Sequence, residues 1–169
     1  TATAEEVARE VGSSDIAYVQ VEAVLAQCDL FLNEGAALQE KTQKAQKSWA
    51  QKEQNLQAEA AQLQEKYQKG LITTNDAQAQ QQSIEKRVAS YQSSAQKEAQ
   101  ALDEENYVFT NRAQDLLHRA VQEINGDKKY KLIINATALI DADSTLNITP
   151  AVLAKVNELY AADKKAVKK

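Results

Sequence analysis

Between Leu38 and Ile124 large apolar residues are sparse on a background of glutamine, lysine, glutamate and alanine, whereas the strand-like apolar runs lie before and after that stretch. The spacing within it is helical. Val88, Ala95, Leu102, Phe109 and Leu116 recur every seven residues, and Ala99, Ala113 and Ala120 complete a three-four pattern. Upstream, Leu38, Trp49 and Ala60, and likewise Ala45, Leu56 and Tyr67, recur every eleven. A strict seven-residue seam favours a left-handed supercoil, and the eleven-residue spacing locally unwinds it. Gly70 between the two patterns suits the left-handed conformation in which many helices stop. Leu71, Ile72, Thr73 and Thr74 form a connector, after which Asn75 can cap a second helix, with Asp76 in its first turn and Gln78 completing a capping box. So short a connector makes the helices antiparallel neighbours. Taken over 38–69 and 76–124, they would be about 48 and 74 Å long. Folding about the turn brings Trp49 near Ala95 and Ala99, Leu56 near Val88, and Leu63 near Gln82, so that large residues face small ones.

The flanking runs predict strands. Asp15-Ile16-Ala17-Tyr18-Val19-Gln20 reads as a short strand followed by a helix over Val21 to Gln27. Tyr130 to Asn135 and Ala138 to Asp143 read as two strands joined by a tight turn at Ala136-Thr137, and their continuous apolar character implies burial on both faces. Thr149 then caps a last helix with Pro150 at its first position, and Val152, Leu153, Val156, Leu159 and Tyr160 supply its buried side. The expected organisation is a disordered lead over 1–14, a β-containing body from 15–37 and 126–160, a helical hairpin over 38–125, and a basic tail over 161–169. The fold class is α+β, mostly α, with a long antiparallel helical hairpin on a small oligomerising body.

Composition sharpens this picture. Of 169 residues 43% are hydrophobic, but alanine swells that figure, aromatics make up 5%, and methionine is absent. Four glycines and one proline suit long uninterrupted helices. Roughly 80 residues outside the hairpin would bury only a marginal core, and oligomerisation of the body is the expected remedy. No stretch reaches membrane-spanning length, so stable membrane insertion is not expected. The chain opens at Thr1 rather than methionine, which is compatible with a processed N-terminus.

Charge and chemistry exclude more than they include. The formal net charge is −4, with seven acids against Arg9 in the first 37 residues and eight lysines against five acids over 126–169. That balance argues against nucleic acid as a partner, which needs a concentrated basic surface. Lys41, Lys44 and Lys47 form a basic stripe that reads as a solvated helix face. Cys28, among Val24, Leu25, Leu30 and Phe31, reads as a small buried hydrophobe. His118 is the only histidine and has no neighbour to complete a metal or nucleophile pair. Asp103, Glu104 and Glu105 point in different directions on a helix. Asp141 and Asp143 would share a strand face but bring no further ligands. No catalytic, cofactor or metal residue is assigned, and an enzyme is not expected.

The opening IAYVQVEAVLAQ, the Gln- and Lys-rich hairpin, and above all YKLIINATALIDADSTLNITPAVLAKVNELY resemble the Skp/OmpH family of periplasmic chaperones over about residues 15 to 160. The resemblance implies a Skp-like homotrimer whose strands associate in a central body, with three helical arms around a cavity. It also implies ATP-independent holding of unfolded outer-membrane proteins in the periplasm before membrane insertion. One departure is charge: residues 38–70 carry about two net positive charges and 74–105 about three net negative, whereas the best-known members are strongly basic. On this reading strand alternation assigns trimer contacts to Ile16, Tyr18, Leu132, Ile134 and Ile140. Trp49, Leu56, Tyr67 and Tyr91 are the large hairpin residues available for client contact, each of which also fits the seam. The alternative is a coiled-coil scaffold or adaptor presenting one helix face to a folded partner, which requires a contiguous apolar stripe outside the seam.

Overall fold

A computed structural model describes residues 15–168; the expected disordered lead over 1–14 lies outside the described residues. Strand β1 (Ile16–Val19) leads into helix α1 (Val21–Gln27), and a π-helical turn at Phe31–Gly35 precedes the long helices α2 (Ala36–Gln68) and α3 (Thr74–Ile124). Strand β2 (Leu132–Asn135), two 3₁₀ turns and helix α4 (Thr149–Val167) complete the order. The described residues divide into two compact units, a base of 15–37 with 107–168, and a hairpin unit of 38–106.

The base is built on a parallel pair. Ile16 lies opposite Leu132, Ala17 opposite Ile133, Tyr18 opposite Ile134 and Val19 opposite Asn135. Asp15 starts the register, its carbonyl accepting from Lys131 N at 2.7 Å and its carboxylate pairing with Lys131 Nζ at 3.0 Å. On the other side of β1, Ile148 N donates to the Tyr18 carbonyl at 3.0 Å. Strand alternation sends Ala17 and Val19 inward, where they join Val24, Leu30, Leu116, Ile148, Val152 and Val156 in the core. Cys28 is buried there too, as a small hydrophobe.

Two expectations about this base are corrected. Ala138 to Asp143 is not a strand: 136–138 form a 3₁₀ turn, and no described ladder includes 139–143. The Asn135 side chain accepts from Thr137 N and the Asp143 side chain from Thr145 N, local turns that compete with ladder pairing. Asp141 and Asp143 therefore share no strand face. Thr149 is not the cap of α4 either, since that position falls to Ile148. The Thr149 hydroxyl instead accepts from Gln20 N at 2.9 Å, tying the end of β1 to the start of α4 across 129 residues. Pro150 sits in the first turn, where its missing N–H costs nothing.

The hairpin unit follows its sequence closely. Gly70 turns with φ 68°, and α3 begins at Thr74 rather than Asp76. Thr73, not Asn75, supplies the capping oxygen, accepting from Asp76 N at 3.1 Å. Ala45, Leu63, Ile84 and Leu102 are buried along the seam, while Trp49, Leu56, Val88, Tyr91 and Ala95 are half-buried. Gln82, placed opposite Leu63 by the sequence pattern, is exposed; Ile84 takes the buried position on that helix. So few large buried side chains leave polar links to fix the register. Trp49 Nε1 donates to Glu98 at 2.8 Å, Tyr91 Oη donates to the Trp49 carbonyl at 3.1 Å, Arg87 holds Glu59 with two bonds, and Lys41 pairs with Glu105.

Candidate interaction surfaces

The register of the parallel pair places four of the five residues assigned to oligomer contacts on one side of the sheet, opposite the side that Ala17 and Val19 present to the core. Ile16 and Leu132, directly opposite each other, are 45% and 51% exposed. Tyr18 and Ile134, the next pair on that side, are half-buried. Ile140, on the segment that was expected to form a further strand, is fully exposed. The apolar runs thus bury one face within this chain and leave the other only partly covered, where burial on both had been expected. Three aliphatic side chains and one aromatic, two of them exposed and two half-buried, adjoin in an apolar patch of the kind that marks interaction sites.

Of the hairpin residues considered for client contact, Trp49, Leu56 and Tyr91 are half-buried; the Trp49 indole is bonded to Glu98 and the Tyr91 hydroxyl to the Trp49 carbonyl. Tyr67 differs, at 49% exposed. The eleven-residue pattern that put it on one stripe with Ala45 and Leu56 loses its burial toward the turn.

Sequence reasoning missed several exposed apolar side chains. Leu32, Tyr107 and Val108 in the base are more than half exposed, Tyr107 at 70%, and Leu71 at the hairpin turn is 69% exposed. A signal was present for two of them. With Phe109 in the seam, the two residues before it point away from it, because successive helical side chains are about 100° apart. The base also carries paired charges: Arg112 Nη1 meets Glu34 at 2.9 Å, and Arg119 Nη1 meets Asp163 at 2.9 Å. Hydrogen bonding from Arg112 holds the Glu34 carboxyl below its ordinary range, against a smaller opposing effect of burial. Arg119 does the same for Asp163.

The family model for outer membrane protein (OmpH-like) matches residues 15–156. The chain belongs to this family. Among solved structures, a candidate outer membrane chaperone (OmpH-like) from Caulobacter crescentus is similar with a TM-score of 0.72 and 16% sequence identity, over 88% of this chain and 86% of that one. Identity at that level carries the fold alone. No curated protein matches the chain.

In this OmpH-like chain the described residues include no cluster of three or more His, Cys, Asp or Glu arranged to hold a metal ion. Among the described residues no helix is long and apolar enough to cross a membrane. His118 borders a small groove lined by Val19, Leu117, Val121, Ile133 and Ile134 with the amides of Gln114 and Asn135, and no acid or second histidine lines it. What the surfaces offer is apolar area on a strand pair and on helices.

Proposed function

We propose that this OmpH-like protein is an ATP-independent holdase chaperone of the periplasm, acting as a homotrimer that shelters unfolded outer-membrane β-barrel proteins between its helical hairpins. The observation that carries this reading is the partly covered apolar face of the two-stranded sheet in a family whose name ties it to outer membrane proteins. Ile16, Tyr18, Leu132 and Ile134 cover one another in the trimer, joined by Ile140 from the extended segment. Burying side chains of this size is worth roughly 1.5–3 kcal/mol each when exposure is removed completely, which makes a stable assembly out of a base too small for comfort alone.

The mechanism is physical exclusion. An unfolded barrel strand exposes alternate apolar residues and unpaired backbone groups, and two such chains aggregate by edge pairing. A client held among helices meets no second client, and helices, whose backbone groups are already paired, offer it no edge. Contacts through scattered side chains such as Tyr67 are individually weak, so release needs no nucleotide. The family resemblance and the helical surfaces support this non-enzymatic role.

The test is to dilute a urea-unfolded outer-membrane barrel protein into buffer containing this protein, without nucleotide, and to follow light scattering. Suppression saturating near one client per three chains is the expected outcome. Undiminished scattering at several-fold excess would overturn the proposal.

A further inference from the structure

At the end of the hairpin unit nearest its turn, residues of both helices line an open groove of about 620 Å³. Its depth comes from alanine. Ala60 and Ala77 are half-buried beside the buried Leu63, and their methyl groups leave unfilled the space that a leucine or valine seam would occupy. Tyr67 lies along the wall with its ring half exposed, and Leu71, just beyond in the turn, is exposed as well. The remaining lining is Ala61, Thr74 and the amides of Gln64, Gln78 and Gln81.

Charge selects the occupant. Charged residues make up 26% of the chain and none lines this groove, although Lys66, Lys69, Asp76 and Glu85 stand close by in sequence. A charged guest would find no counter-ion there and would lose hydration. The polar groups that do line it are amides and hydroxyls, each both a donor and an acceptor. Such a rim can satisfy the N–H and C=O groups of an extended backbone in whatever order they arrive, while the alanine floor receives an apolar side chain. A volume within the usual range of ligand pockets accommodates an aromatic side chain with its flanking peptide groups.

We propose that this groove is a binding site for an uncharged, extended polypeptide segment carrying an aromatic residue, with the aromatic side chain seated over Ala60 and Ala77 against Tyr67. It rests on the holdase reading for its biological client and gives each hairpin its own point of attachment. Uncharged segments with spaced aromatic residues are the material that a chain bound for a membrane exposes.

The test uses the whole 169-residue chain and a capped, uncharged peptide of glutamine and serine with one central phenylalanine, its binding followed by the anisotropy of an attached dye. Ala77→Leu fills the floor of the groove, and Ala61→Leu fills its wall from the other helix. Both replace one good helix former by another, and circular dichroism checks that the hairpin persists. Wild type is expected to bind the phenylalanine peptide and not its alanine counterpart, with each variant weakening binding about tenfold, the scale of a well-packed apolar side chain. Equal binding of both peptides by wild type, or unchanged affinity in both variants, would overturn it. The scattering assay is run alongside: suppression by wild type with peptide affinity indifferent to the fill sinks the groove alone, and peptide binding without suppression sinks the holdase alone.

Discussion

Phe109 closes directly over Gly35. A methyl group built on that glycine would lie 2.9 Å from Phe109 Cζ and 3.0 Å from Phe31 Cδ2, and the two rings themselves pack at 6.4 Å between centroids, tilted by 51°. Gly35 ends the π-helical turn Phe31–Gly35, a form whose extra residue per turn is rare and local. Two effects oppose each other in Gly35→Ala. Alanine is favoured over glycine in a helix by up to about 1 kcal/mol, while overpacking costs about 1–3 kcal/mol. The steric term wins because two aromatic rings confront the new methyl group at once. Gly35→Ala is expected to lower the urea stability of the protein by about 1 kcal/mol. Combining it with Phe109→Leu should give less than the sum of the two losses, since the shorter side chain makes room. Strict additivity would mean the clash is not the cause.

Ile140 permits an unusually clean test of assembly. In a single chain it touches water on all sides, so Ile140→Asp removes no intramolecular packing, and any change in mass arises between chains. Sedimentation equilibrium is expected to show three chains for wild type and a shift toward one for this variant. Ile134→Asp should do the same more strongly, although Ile134 is half-buried and that variant needs a circular dichroism control. Unaltered mass in both would remove these residues from the interface.

The helices were legible because their signals are local. Gly70 turns where its lack of a Cβ allows, and heptad positions such as Leu102 and Leu116 are buried, since both follow from a few neighbouring residues. The sheet was legible only in part. Ile16–Val19 and Leu132–Asn135 are strands, as their apolar runs indicate, but nothing local reports that they pair in parallel across more than 100 positions. The run Ala138 to Asp143 also opens on adjacent apolar residues and is no strand within this chain, because Asn135 and Asp143 turn the backbone at either end. The partly covered face of the sheet follows from alternation once the register is known. Exposed Tyr67 and the groove beside it were hidden, because an alanine counts as seam whether or not anything fills the space above it.

Tyr91 links the two helices of the hairpin through a single bond, from its hydroxyl to the Trp49 carbonyl. That carbonyl belongs to a helix interior, so the bond adds a second donor to an acceptor already in use rather than rescuing an orphan. Tyr91→Phe is therefore expected to cost about 0.5–1.5 kcal/mol, felt locally as faster amide exchange over 38–106 with little change in the base. Trp49→Ala removes the indole bond to Glu98 together with the largest side chain of the seam, and should accelerate exchange in the same segment considerably more. Equal exchange in Tyr91→Phe and wild type would show that this bond does not help hold the helices together.

The base is expected to weaken in acid through Glu34 and Asp163. Hydrogen bonding from Arg112 and from Arg119 lowers the two carboxyls below their ordinary values of 4.5 and 3.8. A carboxylate whose folded pKa lies below its unfolded one contributes stability that is complete at neutral pH and is lost as pH falls below the unfolded value and through the folded one. The loss thus begins near 4.5 for Glu34 and near 3.8 for Asp163 and continues below. Both side chains remain partly exposed, 36% for Glu34 and 49% for Asp163, so screening limits each pair to under about 1 kcal/mol. The urea midpoint of wild type should fall between about pH 6 and about pH 3, and Glu34→Gln with Asp163→Asn should start lower at neutral pH and fall less steeply. A double variant that matches the wild-type slope across that range would assign the acid sensitivity to other carboxylates.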